Sequence, residues 1–416
     1  MSEAKPFIIP KILMMEAFKL VKANGGSAGV DNQTLEDFEL NLEDNLYKIW
    51  NRMSSGTYFP PPVKAVPIPK KSGGERILGI PTVGDRIAQM VVKLTFEPTV
   101  EPHFLNDSYG YRPNKLALDA VGITRKRCWV YDWVLEFDIK GLFDNIDHEL
   151  LMKAVTKHTD IKWVILYIKR WLIAPLELKK GTLIQRDKGT PQGGVISPIL
   201  SNLFLHYVFD VWMTRNHPGK PWCRYADDGL VHCKTEEEAK LILEELRKRF
   251  EECGLMLHPE KTKIIYCKDD NRKGKHKEEK FKFLGYTFRT RVVENSKTKK
   301  TFLGFTPSVS TEALKSMRAK VREWNIRNRT DLELETISKL YNPVIRGWWG
   351  YYAKFNPSGL YPFWRSFNKT LIAWAIKKYK GLKRSKRRAG QLLQKIAKER
   401  PRLFEHWNRG VIGSFV

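Results

Sequence analysis

The chain has 416 residues, of which 42% are hydrophobic and 12% aromatic, and it carries a net charge of +27. That apolar content is enough for packed cores and excludes wholesale disorder, while the length corresponds to roughly two to four domains. No apolar run approaches the about 20 residues of a membrane helix, and the N-terminus, charged throughout, lacks the apolar stretch of a secretory signal.

The charge surplus points to a polyanion, either nucleic acid or an anionic membrane surface. It is unevenly spread: from Thr301 onward there are 24 Lys and Arg against 7 Asp and Glu, together with six of the 13 tryptophans. Basic side chains interleaved with aromatic rings suit phosphate backbones and base stacking. The five cysteines, Cys128, Cys223, Cys233, Cys253 and Cys267, are odd in number and form no CxxC pair. That pattern speaks against a disulfide framework or a zinc ribbon and for a reducing cytoplasm.

Residues 11–50 read as helices around a Gly-rich break, Asn24–Asp31. The break lacks the Gly-Lys-Ser/Thr ending of a phosphate loop and reads as an ordinary loop. Pro60, Pro61, Pro62, Pro67 and Pro69 exclude a helix and allow an edge strand or extended chain. Two β-type runs flank Ser72-Gly73-Gly74, a hairpin signature, and Asp85–Leu94 is predicted helical. Trp133–Ile139 is a strand pattern that stops at Gly141, and a helix starts near His148 with Asp147 as its cap. Apolar helices are predicted over 161–172 and 198–213, with a loop at Gly189–Gly194 between them. Arg224-Tyr225 and Leu230–His232 bracket Ala226–Gly229 as strand, tight turn, strand. Thr235 with Glu238 predicts a capping box, opening a helix with apolar Ala239, Ile242, Leu246 and Phe250 that ends at Gly254. Residues 268–280 are a charged loop, and beyond about 305 the pattern is mostly helical and basic. Strands alternating with helices over 130–290 predict an antiparallel sheet backed by helices.

Asp227 and Asp228 are adjacent carboxylates at the predicted strand–turn–strand tip, where like charges repel unless a cation lies between them. Asp is also a common turn residue, so the pair alone decides little. Asp138, at the end of an apolar strand, adds a third carboxylate if that strand lies beside the hairpin. Three carboxylates can hold two Mg²⁺ ions about 3.5–4 Å apart for in-line nucleotidyl transfer. Asp144 and Asp147 lie nearby and read as loop and helix-capping residues.

Tyr225-Ala226-Asp227-Asp228 resembles the tetrapeptide of reverse transcriptases. Asp138 with Phe143, Thr190–Gly194 with Ser197-Pro198, Ser108–Pro113, Ile80–Thr82 with Asp85-Arg86, and Phe283–Tyr286 resemble further blocks in the family's order. Asn342–Trp348 with Tyr351-Tyr352 is similar to a maturase-specific thumb, and Leu403–Trp407 to a C-terminal block of shorter members. The ordered set looks like a bacterial group II intron-encoded reverse transcriptase and maturase, in the form without an HNH endonuclease.

The resemblance implies an α+β right-hand polymerase with fingers and palm and an α-helical thumb. Its parts would be an RNA-binding N-terminal extension (1–60), fingers (61–133), palm with remaining finger elements (134–300), thumb or maturase domain (301–375) and a basic, DNA-binding C-terminal segment (376–416). It implies catalysis by Asp138, Asp227 and Asp228, with Ile139 added to the metal set, and two Mg²⁺ ions for which Mn²⁺ could substitute. Lys70, Arg76, Phe143, Gln192 and Lys261 would bind the nucleotide. Arg112, Arg346, Trp348, Lys383, Arg384, Lys386, Arg387 and Arg388 would contact nucleic acid. The implied partners are group II intron RNA or another RNA template, a DNA primer or target, and dNTPs, with no membrane. The implied location is the bacterial cytoplasm, at the nucleoid when acting on DNA. Two alternatives stay open: a host-adopted reverse transcriptase of DNA repair or phage defence, and an RNA chaperone with a vestigial polymerase site.

Overall fold

The computed structural model describes residues 5–69, 73–179, 181–295, 298–383 and 385–412. By contacts the chain forms two compact units, Met1–Ala120 with Leu135–Lys263, and Val121–Val134 with Ile264–Val416.

In the first unit, β1 (Val63–Pro69) and β2 (Glu75–Ile80) pair antiparallel, as the Ser-Gly-Gly signature predicts. On its other side β1 pairs in parallel with β4 (Leu176–Glu177), but only through Val63 and Lys64. Pro67 and Pro69 therefore lie where the strand has a partner on one side alone, which is how β1 tolerates two residues without an N–H. β4 is joined in turn by β5 (Leu183–Ile184).

The helix Val83–Val100 is capped by the Thr82 side chain and is longer than the sequence pattern implies. Asp85, fully buried in it, accepts from Tyr58 Oη at 2.8 Å, Trp171 Nε1 at 2.7 Å and Gln89 Nε2 at 2.9 Å. Burial raises the Asp85 pKa, and the bonds from Trp171, Tyr58 and Gln89 oppose the rise. Arg86 donates to the Gly25 and Ser27 carbonyls, which seats the Gly-rich break as a plain loop.

Three strands position the carboxylates: β3 (Trp133–Asp138), β6 (Trp222–Tyr225) and β7 (Asp228–Cys233), in the order β6-β7-β3. Under them pack the rings of Phe137, Phe209 and Phe250, with Phe137 4.9 Å from Phe209 and 5.9 Å from Phe250. Phe250 comes from the helix Glu236–Glu252, whose buried residues are the four read from its spacing. Half of its predicted capping box forms. Thr235 accepts from the Glu238 N–H, but the Glu238 carboxylate accepts from the Lys234 N–H instead of closing back on Thr235. Phe209 lies in a π-helical turn, His206–Asp210, that interrupts the predicted 198–213 helix.

β8 (Lys263–Tyr266) carries the chain into the second unit. There β9 (Lys280–Phe283), β10 (Tyr286–Glu294) and β11 (Thr301–Val309) form an antiparallel sheet in the order β11-β10-β9. After β11 the chain turns helical at Thr311. The four longer ones, Thr311–Glu323, Leu334–Tyr352, Tyr361–Lys378 and Lys386–Glu399, close around Trp364, Phe367, Trp374, Leu393 and Trp407. The described residues between 376 and 412 thus pack into the same core as the helices before them. Asn342 Nδ2 donates to the Leu403 carbonyl at 2.7 Å, and Asn342 Oδ1 accepts from the Glu405 N–H.

All five cysteines are buried thiols. Among the described residues no helix is long and apolar enough to cross a membrane.

Candidate active site

β3 brings Asp138 to the sheet's end because Phe137, one residue earlier, is locked inside. Its ring lies where a Cβ on Gly229 would have to sit, 2.0 Å away, so only glycine at 229 lets β7 lie over that ring. Asp138 ends β3 and Asp228 begins β7, neighbouring strands of one sheet. Past Asp138, the Asp138 carbonyl accepts from the His258 N–H and the Lys140 N–H donates to the Met256 carbonyl, each at 2.8 Å. That bridge swings Lys261 round to put its Nζ 2.9 Å from Asp138 Oδ2. Ile139, 2% exposed, has an apolar side chain with no donor atom, so only its main chain could serve a metal.

The β6–β7 hairpin pairs Tyr225 with Asp228 across a two-residue turn, Ala226-Asp227. Ala226 takes the left-handed conformation, φ +55°. Burial, then the charges of Asp227 and Asp138, push Asp228 up to about 7, with Lys261 opposing. Burial raises Asp227 as well, and Asp138 adds to the rise. The three carboxylates therefore act on one another through a poorly solvated space. As they stand, no three His, Cys, Asp or Glu side chains among the described residues are close enough to hold a metal ion. In this structure the Asp138 carboxylate is paired with Lys261.

Phe143 is half-buried, and its carbonyl accepts from the Thr190 N–H at 2.7 Å. Gly189, at φ +78°, approaches so closely that a Cβ there would lie 2.6 Å from the Phe143 carbonyl oxygen. The loop that carries Gln192 is held from three sides. Gly189 donates to Ile146, the Gln192 carbonyl accepts from the Gly79 N–H at the end of β2, and Gln89 Oε1 accepts from Val195. Arg76 stands exposed on β2, opposite Ile68. Lys70 lies outside the described residues. Asp147 is a cap, as read, accepting from the Leu150 N–H.

Two of the expected nucleic-acid contacts need correction. Arg112 is a structural side chain, only 5% exposed, bonded to both Glu101 carboxylate oxygens and to the Leu105 and Ser108 carbonyls. Its N–H groups are taken and no face is left for a phosphate. Trp348 in the helical unit lies in parallel stack with Trp324, centroids 5.4 Å apart, and edge-on to Phe363, so its ring is half-buried core. Arg346 is 65% exposed, its Nε 3.8 Å from Glu405. Lys383, Lys386, Arg387 and Arg388 are exposed, and Arg384 lies outside the described residues.

Sequence reading passed over a fully buried arginine, Arg224, paired with Asp210 at 2.6 Å. It also gave no role to Tyr111, a left-handed residue whose phenol pKa is raised by burial and Asp227 and lowered by Arg76. Tyr111 is thereby within electrostatic reach of both carboxylate turn and finger strand. An arginine inside an otherwise apolar strand, directly before the Asp-Asp turn, was the available signal for Arg224.

Residues 68–288, more than half of the chain, match the family model described as reverse transcriptase (RNA-dependent DNA polymerase). The chain belongs to the reverse transcriptases. Residues 314–391 match the group II intron, maturase-specific domain, so this reverse transcriptase carries a maturase domain after its polymerase domain, in a mixed α and β architecture with a helical C-terminal part. It is 33% identical over 301 residues to Protein YkfC of Escherichia coli K12, covering 62% of this chain and 77% of YkfC. It is 32% identical over 252 residues to the group II intron-encoded protein LtrA of Lactococcus lactis, covering 56% of this chain and 41% of LtrA. A putative COX1/OXI3 intron 1 protein of Saccharomyces cerevisiae is 30% identical over 203 residues, 48% of this chain and 24% of that protein.

Proposed function

We propose that this reverse transcriptase copies RNA into DNA by a two-metal mechanism at Asp138, Asp227 and Asp228, and binds group II intron RNA to assist splicing and mobility. The observation that carries the reading is a set of three carboxylates on one strand end and the adjoining buried turn, where burial first, and then the charges of Asp227 and Asp138, raise Asp228 to about 7. That excess of anion in an all-oxygen site fits a hard divalent cation such as Mg²⁺. Mg²⁺ held by Asp138, the Ile139 main chain, Asp227 and Asp228 would activate a primer 3′-hydroxyl and neutralise a triphosphate.

The chain's own groups divide the remaining work. Lys261 is tethered to Asp138 and can turn to the leaving group once a cation takes that carboxylate. Arg76, exposed on the finger strand, would meet triphosphate charge, a role the resemblance also gives to Lys70. Phe143 supplies a ring wall beside the sugar, and Gln192 lines the nucleotide from the loop that both β2 and Gln89 hold. The exposed cations Arg346, Lys383, Lys386, Arg387 and Arg388, with Arg384, supply backbone contacts to RNA or target DNA. The site of action is the bacterial cytoplasm.

Replacing Asp227→Asn together with Asp228→Asn is expected to abolish primer extension while leaving RNA affinity nearly unchanged, because the carboxylates are not phosphate contacts. Extension near the parental rate would sink the assignment. Phe143→Ala is expected to admit ribonucleotides, weakening discrimination by roughly 10- to 200-fold, the worth of a lost shape contact. Competing rNTP and dNTP incorporation, read beside the melting temperature, checks this. A folded variant with parental sugar selectivity rejects the gate.

A further inference from the structure

Arg224 has no exposed surface, and every one of its five N–H donors has a partner. Nε donates to Asp210 Oδ1 at 2.7 Å, and one terminal nitrogen donates to Asp210 Oδ2 at 2.6 Å and Ser108 Oγ at 2.8 Å. The other reaches Asn202 Oδ1 and, inside the Asp-Asp turn itself, the Ala226 carbonyl, both at 3.1 Å. Asn202 is held in its turn, because its Nδ2 donates to the Gly110 carbonyl at 2.6 Å. Gly110 lies against the same turn so tightly that a Cβ there would be 2.4 Å from the Ala226 nitrogen. The Tyr109 N–H donates to the Arg224 carbonyl and the Arg224 N–H to the Asp107 carbonyl, which fixes the 107–110 strip alongside β6.

A buried ion pair contributes little net stability compared with apolar side chains of similar volume. What it supplies here is direction. The Ala226 backbone is left-handed, a conformation that costs an L-residue about 1 kcal/mol or more. It sits one residue before Asp227, where a relaxed turn would re-aim both carboxylates. Resting on the reading of Asp227 and Asp228 as the ion-holding pair, we propose that Arg224 is a positioning residue. Asp210, Asn202 and Ser108 clamp its guanidinium, and through the Ala226 carbonyl it keeps the turn that carries Asp227 and Asp228 in its left-handed shape before any ion arrives. A lysine cannot replace it, since an ammonium has three donors and no fixed fork.

The test uses the full-length protein and reads the turn with and without metal. Amide hydrogen exchange at residues 225–229 is measured in metal-free protein, Mn²⁺ binding by electron paramagnetic resonance, and primer extension against Mg²⁺ concentration. Arg224→Lys is expected to speed exchange at the turn by about tenfold, the loss of one well-made hydrogen bond. It should weaken Mn²⁺ binding and raise the half-saturating Mg²⁺ by about 10- to 100-fold, as losses behind a metal ligand do, with KM for primer–template unchanged. The apparent affinity falls only in proportion to the folded fraction, so a variant that circular dichroism shows to be mostly folded cannot mimic a shift of this size through lost stability alone. Ser108→Ala, which removes one of the five bonds, should move every reading the same way by less. Should Arg224→Lys fail to fold, Ser108→Ala and Asn202→Ser decide by the same measurements. Parental exchange at 225–229 with parental ion affinity would overturn the proposal and leave Arg224 a core pair, whatever the melting temperature does. If instead Asp227→Asn polymerises like the parent, the reading of the carboxylates fails, a result separable from the exchange rates of the Arg224 variants.

Discussion

In the polymerase unit three arginines face inward. Arg224, Arg112 and Arg86 direct their N–H groups at carboxylates and carbonyls of the fold. In the helical unit, Arg346, Lys386, Arg387 and Arg388 stand in solvent over a core of tryptophan and phenylalanine. A net charge counts both sets alike, yet only the second can release counterions from a polyanion. The contrast teaches that a basic chain contains two kinds of cation. One kind shapes backbone and the other is free to meet phosphate, and the number of free N–H groups tells them apart.

The largest effect expected from that contrast separates Arg112 from Arg346. Arg112→Ala leaves Glu101 and two inward carbonyls without their donor and is expected to cost about 3 kcal/mol, the usual penalty for breaking a buried pair. Denaturant unfolding would read it. Arg346→Ala should stay within about 0.5 kcal/mol of the parent, as exposed substitutions do, and weaken RNA binding instead. An Arg112→Ala protein with parental stability and lost RNA affinity would break the comparison.

A smaller effect concerns a charge that the helical unit refuses. The His406 ring is fully buried, with Nε2 2.7 Å from Asn368 Oδ1 and no partner at Nδ1. Burial lowers its pKa to about 3, whereas an unfolded histidine titrates near 6.5. Above pH 6.5 the ring is neutral in both states and pH has no effect through it. Below 6.5 the unfolded chain binds a proton that the folded unit does not, so stability falls with pH by about 1.4 kcal/mol per unit until about pH 3. Thermal unfolding followed by tryptophan fluorescence should show this slope, and His406→Gln should flatten it.

The smallest effect per residue belongs to the start of the last long helix and the turn before it. Replacing Lys383, Lys386, Arg387 and Arg388 by Gln should flatten the dependence of log K on log salt by about 0.7–0.9 per lost phosphate contact, for RNA of any sequence. Stability and the catalytic rate at saturating template should stay parental. Salt titrations of mutant and parent that overlay would make this stretch a solvated one.

Local patterns made much of this legible. The Ser-Gly-Gly hairpin, the Asp147 cap, the buried row Ala239, Ile242, Leu246 and Phe250, and the Asp-Asp turn follow from turn chemistry and periodicity alone. β11 was not legible, because Gly304 and Pro307 dilute its alternation, and what holds it as a strand is the antiparallel ladder with β10, the neighbouring arm of the same hairpin, which pairs Glu294 with Thr301. The role of Arg112 was hidden for a related reason. A motif places an arginine, but its partner Glu101 eleven residues earlier decides where the guanidinium points. Arg224 needs four partners from three separated segments, and no window of sequence contains them.

The buried cysteines have a practical consequence. The thiolate is the form that alkylating reagents attack, and burial holds Cys128 far above its ordinary value, raises Cys253 and pushes Cys233 up to about 12. Maleimides should therefore pass over the native protein, so that a single cysteine introduced at an exposed position, such as Lys383→Cys, can carry a fluorophore without removal of the five natural ones. The same shielding turns alkylation into a clock. Modification of Cys128 or Cys267 would time the opening of the helical unit, and modification of Cys223, Cys233 or Cys253 that of the polymerase unit, in one sample read by mass spectrometry.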